Sequence, residues 1–229
     1  MVGKNIATTV VAIFVVVPVL HSVRGQSPDQ SRNGSIHDNY NGGKPNIVFI
    51  MADDLGYADV NTFSPLGDAD YYETPNIDRL AKQGMKFVNA YTNGTNCTPT
   101  RAALISGQYY PRQPIYTNIT GNRGEAEHRK VVAPPTARRL PAEIYTLPEA
   151  LADAGYATGR FGKWHLRPNR EGERVFSEAR VSTIEMNGVR LGQGTKLGPT
   201  GKYIADELNR RALQFIEEYR HQPFFLYLS

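Results

Sequence analysis

Two short runs, Asn46 to Met51 and Phe224 to Leu228, are apolar almost throughout rather than at every second position. A strand with one wet face alternates polar and apolar residues. A continuously apolar strand needs cover on both faces, and in a parallel sheet helices supply it. Helical patterns do stand between these runs. Thr74 and Pro75 open a helix with Ile77, Leu80 and Ala81 on its buried stripe and Gly84 after it. Thr146 and Glu149 form a capping box for a helix ending at Gly155. Ala157 to Phe161 reads as a further short strand. Tyr203 to Arg220 is the longest helix, with Ile204, Leu208, Ala212, Phe215 and Tyr219 along one face. Met85 to Tyr91 reads as another strand, and Val181 to Arg190 as a small hairpin. Gln108 to Ala142, rich in Pro, Arg and Asn, reads as a long surface excursion. Alternating strands and helices imply an α/β fold, a mostly parallel sheet flanked by helices. A chain of 229 residues can bury one good core of this kind.

The N-terminus carries a different signal. Lys4 precedes an apolar run from Ile6 to Leu20, and Val23-Arg24-Gly25 follows as a cleavage site. The run is shorter than the roughly 20 residues of a comfortable membrane span. Residues 1–25 therefore read as a secretory signal peptide, with an uncleaved anchor as the competing reading. The product is expected to be exported, periplasmic or secreted, with no stable membrane span after cleavage. Residues 26–43 are polar and Gly-rich, as in a disordered linker. Formal net charge is +4 and pI about 9.1, a mild basic bias. No aromatic-plus-basic recognition module accompanies it, so no nucleic-acid partner is expected. Asn33, Asn93 and Asn118 each head an Asn-x-Ser/Thr sequon.

Cys97 is the single cysteine, so it has no intramolecular disulfide partner. A free cysteine is most often a small buried hydrophobe. Its setting argues otherwise. Thr98 and Pro99 read as the cap and first residue of a helix that stops at Gly107, which places Cys97 just outside a helix N-terminus. Free N–H groups there favour an anion or a nucleophile. Cys-x-Pro-x-Arg, here Cys97, Pro99 and Arg101, is expected by chance in roughly one in a hundred chains of this length.

Asp53-Asp54, Cys97 and Lys163-Trp164-His165 each follow an expected strand, and ligands of open α/β sheets sit beyond the carboxyl ends of strands. Adjacent aspartates after a strand can merely cap a turn. Beside a nucleophile they offer the hard oxygens that suit Ca²⁺ or Mg²⁺. A histidine just after a strand is by itself more often structural than catalytic.

The run Cys97-Thr-Pro-Thr-Arg-Ala-Ala-Leu-Ile-Ser-Gly107 resembles the signature of the formylglycine-dependent (type I) sulfatases. Lys44 to Tyr57 resembles that family's opening strand and metal loop, Thr74 to Ala81 its first helix, and Gly155 to Leu166 its second signature. The resemblance implies an alkaline-phosphatase-like sandwich of which residues 44–229 form the N-terminal part. It implies that a maturation enzyme oxidises Cys97 to formylglycine, reading Pro99 and Arg101, and that Asp53, Asp54 and residue 97 ligate calcium or another divalent cation such as magnesium. Arg101 would hold the hydrated aldehyde, Lys163 a sulfate oxygen, and His165 a proton. The implied substrate is an aryl or carbohydrate sulfate ester, with a sulfated polysaccharide as its expected carrier.

After Ser229 the family continues into a histidine that protonates the leaving alcohol, an Asp with Asn or Gln on the metal, and a further lysine. The chain as written is expected to be catalytically crippled, a piece from an incomplete gene model or a frameshift. A phosphonate or phosphate ester hydrolase with the same Cys-x-Pro-x-Arg core remains an alternative. So does a non-catalytic protein that holds sulfated glycan on basic loops around Arg123 to Arg139.

Overall fold

β2 (Asn46–Met51) lies between an antiparallel neighbour, β1 (Ala12–Val17), and a parallel one, β7 (Phe224–Leu228), in the computed structural model of the chain. The structure describes residues 12–17, 43–63, 72–94, 96–118, 125–131, 134–166, 178–180, 184–186, 189–191 and 204–229. β3 (Ala157–Phe161) pairs parallel to the other side of β7 and to β4 (Glu178–Arg180), so the sheet order is β1-β2-β7-β3-β4. The expected mostly parallel sheet is present. β5 (Ile184–Met186) and β6 (Val189–Leu191) form the expected antiparallel hairpin apart from it.

Both sheet faces are covered, as continuous apolar strands require. On one face Phe49 and Met51 of β2 and Phe225 and Tyr227 of β7 pack with Ala102 and Ile105 of α2 (Cys97–Ser106) and Leu151 of α3 (Leu147–Asp153). Phe49 stacks on Tyr227 at 5.5 Å between centroids. On the other face Phe224, Leu226 and Phe161 meet Ala212 and Phe215 of α4 (Ile204–Glu218). The Phe215 ring fills the space a side chain at 159 would take. A Cβ on Gly159 would lie 2.6 Å from it.

Local chemistry explains the helix ends. The backbone N–H of Thr146 donates to the Glu149 carboxylate at 2.8 Å, closing the expected capping box of α3. Gly107 ends α2 in the left-handed conformation, φ 64°, which a Cβ would disfavour. α1 (Pro75–Gln83) starts where expected, but Ile77, Leu80 and Ala81 are only half-buried and the Thr74 hydroxyl bonds Asp78 at 3.1 Å rather than capping the helix.

Three expectations need correction. α2 begins at Cys97 with Asn96 as its cap, so Cys97 stands in the first turn rather than outside it. Met85 to Tyr91 is not a strand. Met85, Phe87, Val88 and Tyr91 are exposed. No strand among the described residues pairs with the segment, so its backbone has no ladder to join. Gln108 to Ala142 is not wholly a surface excursion either. Ile115, Leu140 and Gln113 are buried, the first two in the core and the last donating to the Pro99 carbonyl at 3.3 Å. β1 falls inside the segment read as a signal peptide. The rest of that segment, and residues 26–42 of the expected linker, lie outside the described residues. No helix among the described residues is long and apolar enough to cross a membrane.

Candidate active site

The three parallel neighbours β2, β7 and β3 bring their carboxyl ends to one sheet edge. Asp53 and Asp54 follow β2, Lys163 to His165 follow β3, and Ser229 follows β7. α2 lies across the same face and sends Arg101 into the join. Arg101 is 1 % exposed. Its Nη1 is shared among the Lys163 carbonyl at 2.6 Å, the Ser229 hydroxyl at 2.6 Å and the Tyr227 hydroxyl at 2.9 Å. Its Nη2 stands 3.5 Å from the Asp53 carboxylate, which Lys163 Nζ also meets at 2.5 Å. One guanidinium thus ties the Cys97 helix to the ends of all three strands.

Burial alone would raise the Asp53 carboxyl. The Lys163 hydrogen bond and charge, with the Arg101 charge, outweigh it and hold the group below its ordinary value. Asp53 is therefore a fixed anion between two cations. Tyr227 is a buried phenol that burial keeps protonated. It accepts from Arg101 and donates to the Met51 sulfur at 3.1 Å. Trp164 packs edge-on against Tyr227 at 6.3 Å, with the Arg160 guanidinium 4.9 Å over its ring. That makes Trp164 a packing residue, as its type suggests.

His165 is held in the left-handed region, φ 60°, as is Asp54, φ 59°. Non-glycine residues there carry strain, and such strain concentrates at functional sites. Burial pushes the His165 imidazole below its usual value. Lys163 and Arg101 push it further and Asp53 partly restores it. The ring is thus neutral and able to accept a proton, and its Nδ1 is buried with no hydrogen-bond partner among the described residues. A depressed folded-state value means that stability is lost as pH falls through the unfolded value of 6.5, because only the unfolded chain takes up the proton readily. The expected result is a melting temperature that drops between about pH 7.5 and pH 5, with a flatter profile in His165→Gln, read by circular dichroism.

Direct contacts therefore unite Asp53, Arg101 and Lys163, and His165 feels the charges of all three. Asp54 is exposed beside them. Cys97 is free and half-buried, and its sulfur accepts from Asn118 Nδ2 at 3.6 Å. Sequence reasoning met Asn118 only as the head of a sequon and missed it as a site residue, since nothing 21 residues beyond Cys97 signals contact with that sulfur.

The adjacent carboxylates suit a hard divalent cation in kind. They fall short of the roughly six to eight oxygens calcium takes. No group of three or more His, Cys, Asp or Glu able to hold a metal occurs among the described residues. Asp53 already has its charge met by Lys163 and Arg101. These residues do not by themselves close a cation site.

A sulfatase family model matches residues 45–229. The chain is 38 % identical to an arylsulfatase of Hemicentrotus pulcherrimus over 220 residues, 81 % of this chain and 36 % of that protein. It is 40 % identical to human arylsulfatase A over 128 residues, 56 % of this chain and 22 % of that one. The matches span only 22 to 36 % of the length of these curated relatives. Among solved structures, i-CgsB in complex with a neocarrahexaose superposes with a TM-score of 0.59 at 30 % identity, covering 80 % of this chain and 44 % of that one. The family match thus extends from β2 through α2 and the Lys163 loop to the end of β7, well beyond the Cys97 motif. By that extent of likeness, this chain belongs to the sulfatase family.

Proposed function

We propose that the chain is the nucleophile-bearing part of a sulfuric ester hydrolase, acting on aryl or carbohydrate sulfate esters through residue 97 after a maturation enzyme oxidises it to formylglycine. The observation that supports this most is the position of Cys97 in the first turn of α2, whose Arg101 is knotted to Asp53 and the Lys163 loop. The hydrated aldehyde supplies two hydroxyls: one attacks sulfur as the S–O bond to the alcohol breaks, and the other loses its proton as the C–O bond to sulfate breaks and the aldehyde returns.

The chain's own residues serve that chemistry in distinct ways. The neutral His165 takes the proton released from residue 97. Lys163, a compact cation on a flexible stem, turns from Asp53 toward a sulfate oxygen. Arg101 acts from beneath, fixing the Lys163 carbonyl and Asp53 in register with α2. Asp53 and Asp54 are what this chain offers a divalent cation, calcium or magnesium. We further propose that the product is exported. Removal of residues 1–25 would strip β1 and leave β2 as a sheet edge. A sulfated polysaccharide is the proposed natural substrate, a reading supported by the oligosaccharide in the structural relative i-CgsB.

The test uses p-nitrophenyl sulfate, whose phenolate departs without being protonated. Chain co-expressed with a maturation enzyme should release nitrophenol at a rate proportional to the fraction of residue 97 converted, and Cys97→Ala should release none. Equal release by Cys97→Ala, or faster release from p-nitrophenyl phenylphosphonate, would overturn the assignment.

A further inference from the structure

Asn118 meets the nucleophile from the solvent side, and the loop that carries it is anchored rather than loose. Ile115 is fully buried. The backbone N–H groups of Tyr116 and Thr117 both donate to the Thr136 hydroxyl, at 2.9 and 3.4 Å. The Ala137 N–H donates to the Pro114 carbonyl at 2.7 Å. Asn96, the cap residue of α2 next to Cys97, reaches the Thr117 hydroxyl with its own amide at 3.5 Å. The segment 114–118 is therefore pinned to the core, to residues 136–137 and to the start of the nucleophile helix. Its last described residue points a neutral N–H donor at the Cys97 sulfur.

From this geometry we propose that Asn118 is a catalytic residue that holds the reacting atom at position 97: the sulfur before conversion and, on the formylglycine reading above, the oxygen that replaces it. A neutral amide suits this task. It donates to an electron-rich atom without competing with Lys163 and Arg101 for Asp53, whereas a carboxylate in its place would repel the developing anion. The donor would keep one oxygen of residue 97 occupied and leave the other free to face sulfur.

The contact can be tested without conversion or turnover, by timing iodoacetamide alkylation of Cys97 in the unconverted full chain at neutral pH. Asn118→Leu keeps the bulk and loses the donor, and alkylation should slow roughly three- to tenfold, because the thiolate is the reactive form. Asn118→Asp keeps the shape, adds a negative charge, and should slow it further. Unchanged melting temperatures guard against a folding defect. Rates within about twofold of the parent for both variants would overturn the proposal. Peptide masses after co-expression with a maturation enzyme separate the two readings. A thiol that persists in the parent chain defeats the formylglycine reading, while slowed alkylation in the variants still upholds the Asn118 contact. Because Asn118 also heads a sequon, where a glycan would replace an N–H by bulk, the protein should come from a host that does not glycosylate.

Discussion

Arg101→Met is expected to destabilise the chain by about 3–5 kcal/mol in urea unfolding followed by circular dichroism. The substitution keeps most of the aliphatic volume, so the loss is chiefly polar. Without the guanidinium, the Lys163 carbonyl, the Ser229 hydroxyl and the Tyr227 hydroxyl lose a common donor. Each buried acceptor left unmet costs about 1–3 kcal/mol. Asp53 keeps Lys163 and is 32 % exposed, so its charge is not stranded and adds less. Asp53→Asn should also be costly, because it leaves the buried Arg101 guanidinium and Lys163 side by side with no carboxylate between them. Against the roughly 5–15 kcal/mol by which domains are stable, the arginine loss is a large fraction. A change below about 1 kcal/mol in Arg101→Met would show that this knot does not hold the sheet edge together.

Gly162→Ala is expected to be comparably damaging for a different reason. Gly162 adopts φ 95°, a region that side chains avoid, and a Cβ there would sit 1.7 Å from the Ser229 carbonyl oxygen. A backbone atom cannot swing aside as a side-chain tip can. Either the end of β7 or the 162–165 loop must move, breaking the Lys163 N–H to Ser229 carbonyl bond of 3.1 Å. Backbone strain and overpacking of this kind each cost about 1–3 kcal/mol. Lys163 would be carried away from Asp53, so the unfolding free energy and any residue-97 chemistry should fall together. A stable Gly162→Ala with unchanged nitrophenol release would contradict the placement of this loop.

Much of this architecture was legible in the sequence, for stated physical reasons. β2 and β7 follow from continuous apolar runs, α3 from the Thr146–Glu149 box, and α4 from a face on which Ala212 and Phe215 are indeed buried. Met85 to Tyr91 failed because β-branched and aromatic residues record a capacity to pair but not whether a partner strand comes alongside. Asp53, Arg101 and Lys163 were legible through their motifs. The depth of Arg101 was not: four residues past Cys97, it could as well have faced outward, and only the convergence of three strand ends draws it in. Asn118 showed only as a sequon asparagine, and its contact with residue 97 left no trace, since a polar residue in a Pro- and Tyr-rich loop has no period to betray its direction. The left-handed backbone of His165 is equally silent, because nothing in a histidine announces it.

The central claim is that residue 97 serves as an aldehyde-derived nucleophile, and the mass of its peptide tests that most directly. After co-expression with a maturation enzyme, the peptide containing position 97 should carry the mass of an aldehyde in place of the thiol and be captured by an aminooxy probe, whereas Cys97→Ala should yield neither. Finding only unmodified thiol, under conditions in which a control Cys-x-Pro-x-Arg peptide converts fully, would contradict the account.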